Sequence, residues 1–125
     1  MGFSAENIAN IKRYGQLEMY IEHERRMISN LEVAEIIEDA AGPDSLSYAH
    51  LRGRYGIDVD DSAYPHNAIA WSGDWMGRWP VQSFDGDQER ALAYARAALR
   101  NHLVAKGRSL LAGAKVNLSM LEAAR

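Results

Sequence analysis

Two long apolar stripes of helical period, separated by a segment that does not keep that period, limit what this chain can fold into. In the C-terminal third, Leu92, Ala95, Leu99, Leu103, Leu110, Ala114, Leu118 and Leu121 recur at nearly heptad spacing, interrupted by Lys106. In the N-terminal third, Leu17, Tyr20, Ile21, Met27, Ile28, Leu31, Ala34 and Ile37 recur at three- and four-residue steps, after a shorter run that carries Ile8 and Ile11. Each stripe must be covered, either by the other or by a second chain.

Local signals bound the two arms. Ser4 suits a helix N-cap, and Gly15 weakens or bends the helix that follows. Ser29 and Glu32 have the spacing of a capping box, which predicts two helices meeting near Ser29. Gly42-Pro43 ends the arm, because Gly accepts a left-handed cap and Pro cannot continue a helix. Asp85, with Gln88 three residues on, is the expected cap of the second arm. Unbroken from Asp87 to Ala123, that arm would extend about 55 Å at ~1.5 Å per residue. Gly107 and Gly113 each cost about 1 kcal/mol relative to Ala, which predicts a break near Gly107.

Between the arms, Asp44 or Ser45 caps an expected short helix carrying Leu46, Ala49 and Leu51. Gly53, Gly56 and the acidic stretch from Asp58 to Asp61 read as loop. Residues 66–71 and 79–84 are aromatic or β-branched and flank Ser72-Gly73-Asp74 and Gly77, a hairpin pattern. Pro80 confines its strand to an edge or a strand start. The expected fold is therefore α+β and helix-rich: an N-terminal helical arm, a short helix and acidic loop, a central β-hairpin and a C-terminal helical arm. At 125 residues this is one domain, residues 1–125, with enough surface to bury for a core of its own.

The net charge of −3 conceals a polarity. From Leu31 to Asp61 eight acidic residues face two arginines, and from Gln88 to Arg125 seven basic residues face two glutamates. Such halves attract within one molecule or between copies, but the simplest reading is two solvated helix faces. With no cysteine, disulfides, thiol nucleophiles and Cys-ligated zinc are excluded. No basic region leads into an apolar stretch at Met1, and Glu6 stands where a myristoylation motif wants Ser or Thr. No apolar run approaches the ~18 residues of a membrane span. A cytoplasmic protein outside the membrane is expected.

Catalytic and metal signatures are weak. His23, His50, His66 and His102 form no HExxH or HxH pattern, and a metal site would have to assemble from His50, His66 and the acidic loop. An EF-hand starting at Asp58 fails at Ala63 and Ile69, where Gly and Glu belong. Arg52-Gly53-Arg54-Tyr55-Gly56 matches neither phosphate-loop fingerprint. No GxSxG elbow is present. No cofactor, metal or catalytic residue is assigned.

Aromatic clustering points elsewhere. Trp71, Trp75 and Trp79 fall at a spacing of four, with Tyr64, Met76 and Arg78 beside them. These are the residue types in which protein interfaces and their hot spots are enriched. Trp71 and Trp79 are expected to clamp the hairpin to the helices, and Trp75, near the hairpin tip, to be exposed. The leading functional expectation is a non-enzymatic interaction protein, an adaptor, inhibitor or assembly subunit that associates with itself or another protein. A nucleic-acid-binding regulator is the alternative, using Arg90, Arg96, Arg100, Lys106 and Arg108 on the basic arm. The aromatics could stack on single-stranded bases, and Glu35 to Tyr55 can be laid out as helix-turn-helix. A small enzyme with a His/Asp site is the third.

Overall fold

The computed structural model describes residues 2–47 and 54–125. In chain order they form helix α1 (Ala5–Arg13), helix α2 (Leu17–Ala41), strands β1 (Tyr55–Asp60), β2 (Asn67–Ser72) and β3 (Trp75–Pro80), a 3-10 turn (Val81–Phe84) and helix α3 (Gln88–Ala123). The class is α+β and helix-rich, as expected. The predicted short helix around Ala49, the second half of the helix-turn-helix layout and His50 fall largely or wholly on residues 48–53, outside the described residues.

Both predicted breaks inside the arms are absent. α2 runs through Ser29 without interruption for 25 residues, and α3 runs through Gly107 and Gly113 for 36. A capping box offers two local hydrogen bonds. Staying helical instead keeps Leu31 and Ala34 on the buried stripe below Ile21, and Ser29 simply faces outward. Gly107 is itself buried, so its propensity cost is set against close packing at a position with no side chain. The break lies at Gly15, whose φ of +68° separates α1 from α2. Gly42, at φ +85°, ends α2 as predicted. α3 begins two residues later than expected: Asp87 Oδ1 accepts from the Arg90 backbone N–H, and Asp85 lies before it in a left-handed turn with Gly86.

β1 corrects most of the loop expected over Gly56 and Asp58 to Asp61; only Asp61 lies beyond the strand. Tyr55, Ile57 and Val59 alternate with Gly56, Asp58 and Asp60, a period-two pattern hidden by its glycine and aspartates. β1 and β2 pair antiparallel, as do β2 and β3, and β2 is central. Pro80 ends the outer strand β3, where no partner needs its missing N–H.

Contacts gather into two compact units, one of residues 1–36 and 106–125, the other of residues 37–105. In the first, Ile11, Ile21 and Leu121 form a buried cluster with Phe3, Ile8, Leu17, Tyr20 and Leu118 against it. Ser4 Oγ caps α1 by accepting from the Asn7 N–H at 3.1 Å, and the Phe3 N–H donates to Asn117 Oδ1 at 3.1 Å. Ion pairs run between α2 and the C-terminal segment in antiparallel order: Glu18 with Arg125, Arg25 with Glu122, Glu32 with Lys115, Glu35 with Arg108. Each is partly exposed and worth roughly 0–1 kcal/mol, so they select a register more than they hold the unit together. In the second unit Ala68, Ala70, Ala91, Ala95, Leu99 and Leu103 are buried.

Leu121→Ala removes a fully buried side chain from the Ile11–Ile21 cluster and is expected to cost about 2–5 kcal/mol. Glu32→Ala, which breaks an exposed pair, should cost below ~1 kcal/mol. Urea unfolding compares them, and equal midpoints would contradict this placement of the core.

Candidate functional site

The turn between β2 and β3 has two residues, Gly73 and Asp74, so Ser72 pairs with Trp75, Trp71 with Met76 and Ala68 with Trp79. Paired residues point to the same face of a sheet, and neighbours along a strand to opposite faces. Trp75, Gly77 and Trp79 therefore share one face with Ser72, Ala70 and Ala68, and with Tyr55, Ile57 and Val59 of β1. Trp71, Ile69, Met76 and Arg78 share the other with Gly56, Asp58 and Asp60. The turn, by its length, sends the tryptophans to opposite sides.

On the inner face both rings reach α3. Trp75 stacks on His102, centroids 5.0 Å apart and planes 13° off parallel. Trp79 meets Tyr94 edge-on at 5.8 Å, and Phe84 joins Tyr94 at 5.5 Å. The spacing matches: four strand residues cover about 13 Å, and the eight helix residues from Tyr94 to His102 cover about 12 Å. Between the two contacts the Trp75 and Trp79 rings lean together, centroids 6.2 Å apart. A Cβ on Gly77 would overlap the Trp79 ring. Asp74 Oδ1 accepts from Ser72 Oγ at 3.0 Å and lies 3.2 Å from His102 Nε2, tying the turn to the helix.

The outer face carries apolar side chains that no described residue covers completely. Trp71 is half-buried because its ring lies where a Cβ of Gly56 would stand, across the β1–β2 pair. Met76 opposite it is 66% exposed, and Tyr64, in the loop between β1 and β2, is 78% exposed. Tyr64 OH is hydrogen-bonded to Gln82 Nε2, and its ring meets His66 edge-on. Arg78 Nη1 donates to Asp60 Oδ2 at 2.7 Å, and Ser62 donates to Asp60 Oδ1 through both Oγ and the backbone N–H. The Arg78 hydrogen bond, followed by the two from Ser62, lowers the Asp60 carboxyl from 3.8 to about 2.

Of the predicted contact residues, Tyr64, Trp71, Met76 and Arg78 thus lie toward the outside, while Trp75 and Trp79 face the helix. The expectation for Trp75 and Trp71 is reversed. Proximity to the tip predicts an exposed tryptophan, but strand parity counted from a two-residue turn puts Trp75 on the helix side. The sequence does not mark Tyr94, and it shows His102 only as a histidine outside any motif and Asp74 and Gly56 only as turn and loop residues. Tyr94 and His102 lie eight residues apart on one helix face, but nothing in that spacing names a tryptophan strand as its complement.

The basic residues of the alternative site are engaged with the chain itself. Arg100 Nε forms an ion pair at 2.9 Å with Oε1 of the buried Glu38, and that oxygen accepts a hydrogen bond from Ser45 Oγ. Arg108 Nε donates to Glu35 at 3.1 Å, Arg96 Nη1 to the Asp44 carbonyl at 3.4 Å, and Arg90 lies 3.9 Å from Asp85. Lys106 is half-buried. Several acidic and basic residues thus pair within the chain while keeping much of their side chains in solvent. Among the described residues no helix is long and apolar enough to cross a membrane. No protein-family model, curated protein or solved structure matches the chain.

Two outcomes follow. Asp60 titrates lower folded than unfolded, so its pairing stabilises the fold above pH 3.8 and that contribution is lost as pH falls toward about 2. In Arg78→Ala the Asp60 carboxyl midpoint, followed by NMR, should move up from about 2 toward 3.8; an unmoved midpoint would remove Arg78 as the cause. Gly56→Ala should displace the Trp71 ring and cost about 1–3 kcal/mol, a change that a shifted Trp71 indole N–H resonance would report.

Proposed function

We propose that this chain is a non-catalytic interaction protein that binds another protein, or a second copy of itself, through the outer face of its three-stranded sheet. The contact surface centres on Trp71, with Met76 and Ile69 beside it, and Arg78 and Tyr64 at its margin. Trp75 and Trp79 contribute from beneath by fastening the sheet to α3. The supporting observation is the outer face itself: a sheet packed on one side usually shows water a polar face. Here Trp71 and Met76 stand side by side on that face, with Met76 largely exposed. Trp, Tyr, Met and Arg are the residues in which interface centres are enriched, since they bury much area for little lost rotamer freedom. The half-buried Trp71, held over Gly56, is already ordered before a partner arrives, which lowers the cost of docking.

The test is Trp71→Ala combined with Met76→Glu, both on the outer face and away from the contacts to α3. Helix and sheet content by circular dichroism should be retained. Captured partners should be lost, or the solution mass should fall, in keeping with a hot spot worth at least about 2 kcal/mol. Unchanged partners together with an unchanged mass would refute the surface. Trp75→Ala serves as the contrast, because it should lower thermal stability through the lost His102 stack.

A further inference from the structure

Away from the sheet, in the unit of residues 1–36 and 106–125, a pocket of about 310 Å³ lies between α2 and α3. Met27, Leu110 and Ala114 give it an apolar wall, and Ser109 and Asn117 add polar groups. Glu24 also lines it. That residue is 5% exposed, and its Oε2 is closed to solvent and accepts no hydrogen bond among the described residues. Glu24 occupies a position of the α2 stripe, three residues after Ile21 and four before Ile28, where an apolar side chain would bury without penalty. A carboxyl oxygen shut away from water with no donor is costly, and among the described residues of the lining none carries a positive charge to offset it.

We propose that this pocket binds a small organic cation of the primary-ammonium class. The ammonium donates to Glu24 Oε2, and its alkyl stem lies along Met27, Leu110 and Ala114. An ammonium carries three donors; the Ser109 hydroxyl offers an acceptor, and Asn117 Oδ1, which already accepts from the Phe3 N–H, has a second lone pair. A divalent metal ion would ask for several hard oxygen ligands, and Glu24 is the sole carboxylate among the described residues of the lining. Anions are disfavoured by that same carboxylate. Because Oε2 is closed off, the ligand must push aside a lining side chain, and Met27, unbranched and adaptable, is suited to move. The inference is independent of the sheet surface.

The experiment titrates the full chain with n-butylammonium while following the methyl resonances of Met27, Leu110 and Ala114. Saturable shifts at these methyls are expected at millimolar concentrations where n-butanol and potassium ion produce none. Glu24→Gln should weaken binding by at least about tenfold, and Glu22→Gln, on the exposed side of α2, should not. Absence of shifts in the unaltered chain would overturn the proposal, as would equal shifts from butanol or potassium, or undiminished binding by a folded Glu24→Gln chain. The unaltered chain alone thus decides the matter if Glu24→Gln fails to fold. Nα-acetyl-lysine amide distinguishes two sources of the same chemistry: binding marks a site that accepts a lysine side chain, and its exclusion marks one restricted to free amines.

Discussion

The stability of this chain depends on burying the apolar stripe of α3. In one unit Leu121 completes a cluster with Ile11 and Ile21; in the other Ala91, Ala95, Leu99 and Leu103 are removed from water. Ala91, Ala95 and Ala114 interleave there with Leu99, Leu103, Leu111 and Leu121; the alanines bury little apolar area each but let neighbours approach closely. The aromatic side chains of Tyr94 and the imidazole of His102, flanking the stripe, supply bulk where the sheet needs a foothold.

The sheet shows how little sequence is needed to divide a cluster into structural and exposed parts. Three tryptophans at a constant spacing of four look equivalent, and on a single helix or a single strand they would share a face. A two-residue turn between the first and second changes the parity. Two become anchors against α3, and the third becomes a surface residue resting over a glycine. Conformation is thereby supplied to the outer face from below, since Ala68, Ala70 and Gly77 leave room for the anchoring rings.

Much of the helical organisation was legible in the sequence, because periodicity and caps act locally. Ser4, Gly15 and Gly42 behave as their intrinsic preferences require. The readings at Ser29 and Gly107 failed for one reason: a local preference worth about 1 kcal/mol was outweighed by burial of residues several turns away. β1 was obscured because Asp58 and Asp60 suggest a loop when counted and a strand when their alternation is followed. The candidate surface was legible in position but not in orientation. Tyr64 to Trp79 does contain two exposed apolar residues, Tyr64 and Met76, whereas which of its strand residues face out depends on pairing register. Glu24 was invisible for the opposite reason, since a glutamate within a helix signals a solvated face unless its burial is known.

The continuity of α3 has a consequence for how the chain can change in length. Each residue added to a helix rotates everything beyond it by about 100°. One insertion between Lys115 and Leu118 would turn Leu121 away from Ile11 and Ile21 while Ala114 and Lys115 kept their neighbours. Four residues, close to one turn, would restore the facing but advance Arg125 by about 6 Å relative to Glu18. The loop of residues 61–66 carries no such phase relation. Insertions are therefore best tolerated there, and α3 behaves as a ruler whose count of residues is as constrained as their identities.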